Sequence, residues 1–192
     1  VGGLIGTAFY LSVGGANDLR ESFPLLLWFL PAVGIVIAFI YRYTHMESEG
    51  TNAVIDSIHL GERIPLALVP VIFASTVLTH LCGGSAGREG AALQIGGGIG
   101  WSMGRIFRLD DKDMRLATLC GMSAVFSALF GTPLTATIFA LEVISVGVVY
   151  YSGLVPCLTA ALTAFGVTRL FDIAPTRFAI EAPALSADLL WR

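Results

Sequence analysis

Charged residues desert long stretches of this 192-residue chain. Residues 22–41, 116–141 and 143–168 contain no Asp, Glu, Lys or Arg, and residues 64–87 add only His80. A helix that crosses the hydrocarbon core of a bilayer needs about 20 largely apolar residues, at about 1.5 Å of rise each. Every one of these runs is that long. A helix lying on a soluble core would show a polar stripe every three or four residues, and these runs do not. Composition agrees: 55% of residues are apolar or aromatic and 13% are charged, with a mean hydropathy of +0.79. Soluble domains carry roughly 25% charged residues. The composition therefore argues against a free-standing soluble protein, and a disordered chain is excluded. The 11 basic and 14 acidic residues leave a net charge of −3, which offers no electrostatic footprint for nucleic acid.

Several classes of chemistry find no support. Cys82, Cys120 and Cys157 stand singly, without the spacing of a disulfide framework or a zinc site, and read as buried thiols. The chain has no Gly-x-x-x-x-Gly-Lys-[Ser/Thr] pattern, and a glycine run such as 96–100 is a weak signal without a strand before it and a matching acid after it, so a nucleotide-binding enzyme is a poor fit. No metal, no cofactor and no enzymatic constellation is expected.

The pattern predicts an all-α, polytopic membrane protein, with helices near 1–14, 22–43, 52–58, 64–81, 91–107, 111–130, 133–143 and 152–171. Pro24, Pro65 and Pro133 suit first turns, where a missing N–H costs little. Asp111 and Asp113 suit the positive end of a helix dipole. The sequence opens inside an apolar stretch with no basic region or cleavage site before it. It is read as beginning and ending within a longer protein.

One segment does not behave as a simple span. Gly83-Gly84-Ser85-Ala86-Gly87 interrupts an apolar region, and Arg88-Glu89-Gly90-Ala91 follows. Backbone at membrane depth must be buried in protein or line a polar cavity. Broken helices of this kind present free amides to anions. A carboxylate there occupies the place of the anion, and protonation weakens its hold. Glu89 is thus a candidate anion competitor and proton carrier. The plainer reading makes Glu89 a helix cap and Arg88 half of an ion pair.

Gly87-Arg88-Glu89-Gly90 followed by Gln94-Ile95-Gly96-Gly97 resembles the gating-glutamate segment, G-[KR]-E-G-P with a following x-Q-x-G, of the CLC family of chloride channels and anion/proton antiporters. Two further segments match in order. Glu49-Gly50-Thr51-Asn52-Ala53-Val54 lies where that family has its first anion-binding loop, G-S-G-I-P. Residues 123–134 with Phe139-Ala140-Leu141-Glu142 resemble its A-x-F-x-[AT]-P-L…F-x-x-E stretch. The resemblance implies that residues 1–192 are the N-terminal half of a CLC-type inverted repeat, with broken and re-entrant helices. The second repeat, with its G-x-F-x-P loop, has no counterpart in the chain. Gly50, Thr51, Asn52, Gly87, Arg88, Gly90 and Ala91 are the implied anion-binding residues, and Glu89 the gating and proton-carrying one.

The departures carry information. Val54 and Ala91 replace prolines of the family pattern, and Val143 falls where exchangers carry an inner proton-transfer glutamate. This combination resembles the fluoride-exporting branch, which implies exchange of fluoride or chloride for protons in a bacterial-type plasma membrane. Channels of the family also lack the inner acid, so a passive CLC-type chloride channel is the alternative. A structural membrane subunit, without ion flux, is a third.

Some roles stay open on the residues themselves. The hydroxyl of Thr51 and the amide of Asn52 can replace the water of a strongly hydrated anion, or can cap a helix beginning near Ala53. Glu142, the one charge between Arg115 and Arg169, is a candidate buried acid. It needs a partner or a proton, as part of a proton route or as an acceptor of structural hydrogen bonds. Ala124, Ser127, Ala128 and Gly131 permit close helix approach, and the resemblance implies a homodimer through the region from Leu116 to Phe171. His80 reads as a satisfied polar group at a helix end, and His45 and His59 as residues of charged loops.

Overall fold

The computed structural model of the protein describes residues 1–44, 50–61, 63–65, 67–144 and 150–171. Among them every regular element is helical: α1 (Gly2–Ser22), α2 (Leu30–Tyr43), α3 (Thr51–Leu60), α4 (Leu68–Leu81), α5 (Arg88–Ile106), α6 (Asp111–Phe130), α7 (Pro133–Glu142) and α8 (Leu154–Arg169). Short 3₁₀ segments, Pro24–Phe29 and Tyr151–Gly153, lead into α2 and α8. Pro24–Tyr43, Asp111–Phe130 and Tyr151–Arg169 are long and apolar enough to cross a membrane, while α4 and α7 are apolar but shorter.

The elements depart from the sequence expectation mainly at their starts. Helix α1 continues past Gly14 and Gly15 to Ser22. The 22–43 stretch is not one α-helix: Pro24 opens a 3₁₀ segment, and Pro31 sits in the first turn of α2. Pro65 precedes α4 instead of starting it, so the 64–87 run holds a helix too short to span the bilayer unaided. Helix α5 begins at Arg88, which draws Glu89 into its first turn.

Helices α5 and α6 form the centre. Gly96, Gly100 and Gly104 of α5 pass Gly121, Ala117 and Met114 of α6, so the two run antiparallel at backbone contact. A Cβ on Gly96 would sit 2.5 Å from the Gly121 carbonyl oxygen. Within hydrocarbon, exclusion of water no longer drives helices together, and small residues with interhelical hydrogen bonds hold them. Hydroxyls do this between α6 and α8: Ser123 Oγ donates to the Cys157 carbonyl at 3.1 Å and Ser127 Oγ to that of Ala161 at 2.9 Å. Thr7 of α1 and Thr168 of α8 share a buried hydrogen bond of 3.3 Å. Apolar packing fills the rest, with the Phe9 and Phe73 rings 5.2 Å apart between α1 and α4.

The ends of α6 are locally encoded. Asp110 accepts from the Asp113 amide at 2.8 Å, and Asp111 and Asp113 lie in the first turn. Gly131, at φ +69°, stops the helix in the left-handed conformation, and Pro133 opens α7 two residues later.

The small-residue stripe is spent inside the chain. Ala124 and Ala128 pack with Ala164 of α8 and face Gly2 and Gly6 of α1. It is therefore not the surface that would meet a second copy. Cys82 and Cys157 are buried as expected, whereas Cys120 is half-buried, its Sγ 3.9 Å from that of Cys157.

Candidate functional site

Helices α3 and α5 each begin after a glycine, Gly50 and Gly87, and neither N-terminus receives a side-chain cap. The first four N–H groups of any helix lack intrahelical acceptors and carry the positive end of the dipole. Where α6 spends an aspartate on that problem, α3 and α5 leave it open. Thr51 and Asn52 are the first two residues of α3, inside the helix, so the capping reading of these residues is overturned.

The two open ends converge. The position a Cβ would take on Gly90 lies 3.5 Å from Thr51 Oγ1 and 4.0 Å from Gln94 Nε2. Gln94 Nε2 donates to Thr51 Oγ1 at 3.3 Å, joining α5 to α3. One turn further on, fully buried Val54 packs against Gly97, which fixes α3 on α5. Val54 thus serves as a contact between these helices.

Glu89 is the second residue of α5 and is exposed, with its Oε2 3.5 Å from the Cβ position of Gly87. Its carboxylate therefore folds back toward the helix opening. Arg88 and Gly90 are half-buried; Gly50, Asn52 and Gly87 are exposed. Ala91 turns its side chain into the core, which leaves only its backbone N–H for a ligand. The glycine-rich break is a compact turn closed by Gly83 N–H to the His80 carbonyl and Gly84 N–H to that of Thr79, at 3.1 and 2.8 Å.

Other sequence candidates lie elsewhere. Glu142 ends α7 and is half-buried, not buried, because the helix terminates there at the edge of the packed region. His59 belongs to the last turn of α3, not to a loop, and its Nε2 lies 2.8 Å from the Ile144 carbonyl. His80 is satisfied within its own helix, Nδ1 to the Thr76 carbonyl at 2.8 Å. His45 and Glu49 fall outside the described residues.

Gln94 is the residue that motif reading left without a role. The signal was present: residues 91–100 are all buried, and Gln94 is the one polar side chain among them. A buried amide demands partners for two donors and an acceptor.

Comparison with known proteins bears on the family and the fold. The family model for "Voltage gated chloride channel" matches residues 2–192. A "Chloride/fluoride channel protein" of Pseudomonas syringae pv. tomato is 38% identical over 174 residues, covering 90% of this chain and 38% of the relative. An "H(+)/Cl(-) exchange transporter ClcA" of Citrobacter koseri is 31% identical over 158 residues, covering 74% and 33%. Among solved structures, a CLC-type fluoride/proton antiporter superposes with a TM-score of 0.86 at 35% identity, over 99% of this chain and 49% of that one. The chain thus spans between a third and a half of the length of these proteins.

Proposed function

The chain belongs to the voltage gated chloride channel family, whose members are integral, multi-pass membrane proteins, and from that premise we propose that it forms one half of a transporter that exchanges fluoride or chloride for protons. The observation that carries the reading is the meeting of two uncapped helix N-termini, with a carboxylate in the first turn of one of them. Backbone amides and the Thr51 hydroxyl are donors, the set that a dehydrated halide requires. Asn52 adds an amide to the same opening, and the N–H groups from Arg88 to Ala91 supply the α5 side.

Glu89 couples the two ions by competing for one position. Ionised, it is itself an anion and takes the amides. Protonated, it loses that attraction, yields the position and carries a proton. Exclusive occupancy of one site by either anion or carboxylate is sufficient for exchange. The similarity to a "fluoride/proton antiporter" supports fluoride as the anion.

Residues 1–192 act in this reading as the N-terminal repeat, the second repeat completing the pathway. A homodimer forms through the region from Leu116 to Phe171. With the small-residue stripe already used, the exposed apolar side chains Leu134 and Ile138 of α7 and Val155 and Leu162 of α8 provide the contact.

The test is flux in liposomes holding the full-length protein, with a fluoride electrode and a pH-sensitive dye. Wild type moves protons against anions, and Glu89→Gln moves anions without protons. Unchanged proton movement in Glu89→Gln would falsify the role of Glu89. The similarity to the Pseudomonas chloride/fluoride channel protein favours the second reading, a passive channel. That reading requires a reversal potential indifferent to the pH gradient.

A further inference from the structure

Two of the three cysteines meet, although they stand 37 positions apart in sequence. Cys120 of α6 and Cys157 of α8 bring their Sγ atoms to 3.9 Å across the seam between these helices. The seam is fixed beside them, because Ser123, one turn on from Cys120, donates to the Cys157 carbonyl at 3.1 Å. The two thiols differ in reach. Cys157 is fully buried, while Cys120 is half-buried, so a small molecule comes to the pair through Cys120. Cys82, at the end of α4, stands apart from both.

Distance decides what such a pair can hold. A disulfide draws its sulfurs in to about 2.04 Å, which here means closing a gap of 3.9 Å between helices already in contact. A metal–thiolate bond is about 2.3 Å long, so an ion on a line between two sulfurs sets them about 4.6 Å apart. The pair has only to open by about 0.7 Å for that, which small side-chain rotations supply. Coordination number then excludes the common ions. Zinc takes four ligands, and calcium and magnesium take oxygens. Among the described residues no third His, Cys, Asp or Glu joins the two thiols. Soft ions that accept two sulfurs remain.

Charge narrows the choice further. The stretch of α6 from Leu116 to Phe130 carries no charge, and at membrane depth an uncompensated one is expensive. Two thiolates on a monovalent ion leave one negative charge, whereas on a divalent ion they sum to zero. We propose that Cys120 and Cys157 form a two-coordinate site for a soft divalent cation, represented by the mercuric ion. Mercury arrives as its neutral dichloride. Two S–Hg bonds form, two Hg–Cl and two S–H bonds break, and two chloride ions and two protons leave. No electron is transferred, and the product is neutral.

The experiment loads the full-length protein in detergent with mercuric chloride, dialyses it against excess mercaptoethanol, and counts mercury per chain by elemental mass spectrometry. A lone thiol surrenders its ion to the competitor. Two thiols that already face each other act at a high effective concentration and keep it. Wild type therefore retains one ion per chain more than Cys120→Ala or Cys157→Ala, each of which is first shown to elute as folded protein. X-ray absorption of the loaded wild type, which needs no variant, shows two sulfur neighbours for the retained ion. Zinc chloride handled in the same way gives no difference between wild type and variants. Wild type that loses its mercury as readily as the variants overturns the proposal. So does full retention in either variant, a retained ion with any other number of sulfurs, or zinc held as firmly as mercury.

Discussion

Gly96 of α5 and Gly121 of α6 meet backbone to backbone, so that a Cβ on Gly96 would lie 2.5 Å from the Gly121 carbonyl oxygen and 2.7 Å from the Met122 Cα. The neighbour on both counts is main chain, which cannot step aside as a flexible side chain does. The helix bearing Glu89 is locked onto α6 two turns below its N-terminus, and movement at the site falls to side chains. Gly96→Ala forces the helices apart and lowers stability by about 1–3 kcal/mol, the usual range for overpacking. Gly15→Ala is the control: it lies within α1 with nothing within 4 Å of its Cβ position, and gains about 0.5–1 kcal/mol from helix propensity. Thermal unfolding of the purified protein in detergent gives both numbers. Equal losses at the two positions would contradict the contact.

Thr51 stands at the other junction. Its hydroxyl oxygen already accepts from Gln94 Nε2, which leaves its own proton to be given away. In the proposed site that proton goes to the anion. Thr51→Val is nearly the same shape without the hydroxyl, and raises the half-saturating anion concentration roughly tenfold, the value of a hydrogen bond to a charged group. Thr51→Ser restores most of the affinity. Initial flux against anion concentration in liposomes measures it; equal affinity in Thr51→Val would remove Thr51 from the site.

The fold class was legible because charge is expensive in a bilayer, and its absence over residues 116–141 and 143–168 leaves few alternatives. The ends of α6 were legible for a local reason: Asp110 caps, and Gly131 with Pro133 stops. The starts of α4 and α5 were not. Pro65 is compatible with a first turn and with an extended approach to a helix, and which one occurs depends on what packs against Leu68. Likewise, the glycines that follow Gly87 hide the start of α5, because glycine at 90 is as easily a loop as a first turn. The convergence of Thr51 with Gly90 involves residues 39 positions apart in sequence, and only the resemblance to a family brought them together beforehand. Gln94 showed as a polar side chain in an apolar run, but its partner Thr51 lies 43 positions away on another helix.

Gly131 tests the break between α6 and α7. At φ +69° it occupies the left-handed region, where a Cβ crowds the backbone by about 1–2 kcal/mol. Gly131→Ala therefore destabilises by that amount, and Gly131→Asn by less, since asparagine tolerates the conformation. The order Gly, Asn, Ala in unfolding temperature is the expected result. Alanine as stable as glycine would mean that α6 does not end there.

Ser127 tests the seam between α6 and α8. It is fully buried and donates to the Ala161 carbonyl at 2.9 Å, and its neighbours across the seam are alanines. Ser127→Ala removes one interhelical hydrogen bond while preserving the close approach, and the carbonyl it served still belongs to the ladder of α8. The loss is about 0.6 kcal/mol, the mean for such bonds within membranes. Ser127→Val removes the same bond and adds bulk where there is no room, so overpacking brings its cost to about 1–3 kcal/mol. Unfolding in detergent should separate the two variants clearly. If both cost the same, the hydroxyl and not the small volume is what residue 127 contributes, and the seam is held by hydrogen bonds more than by close packing.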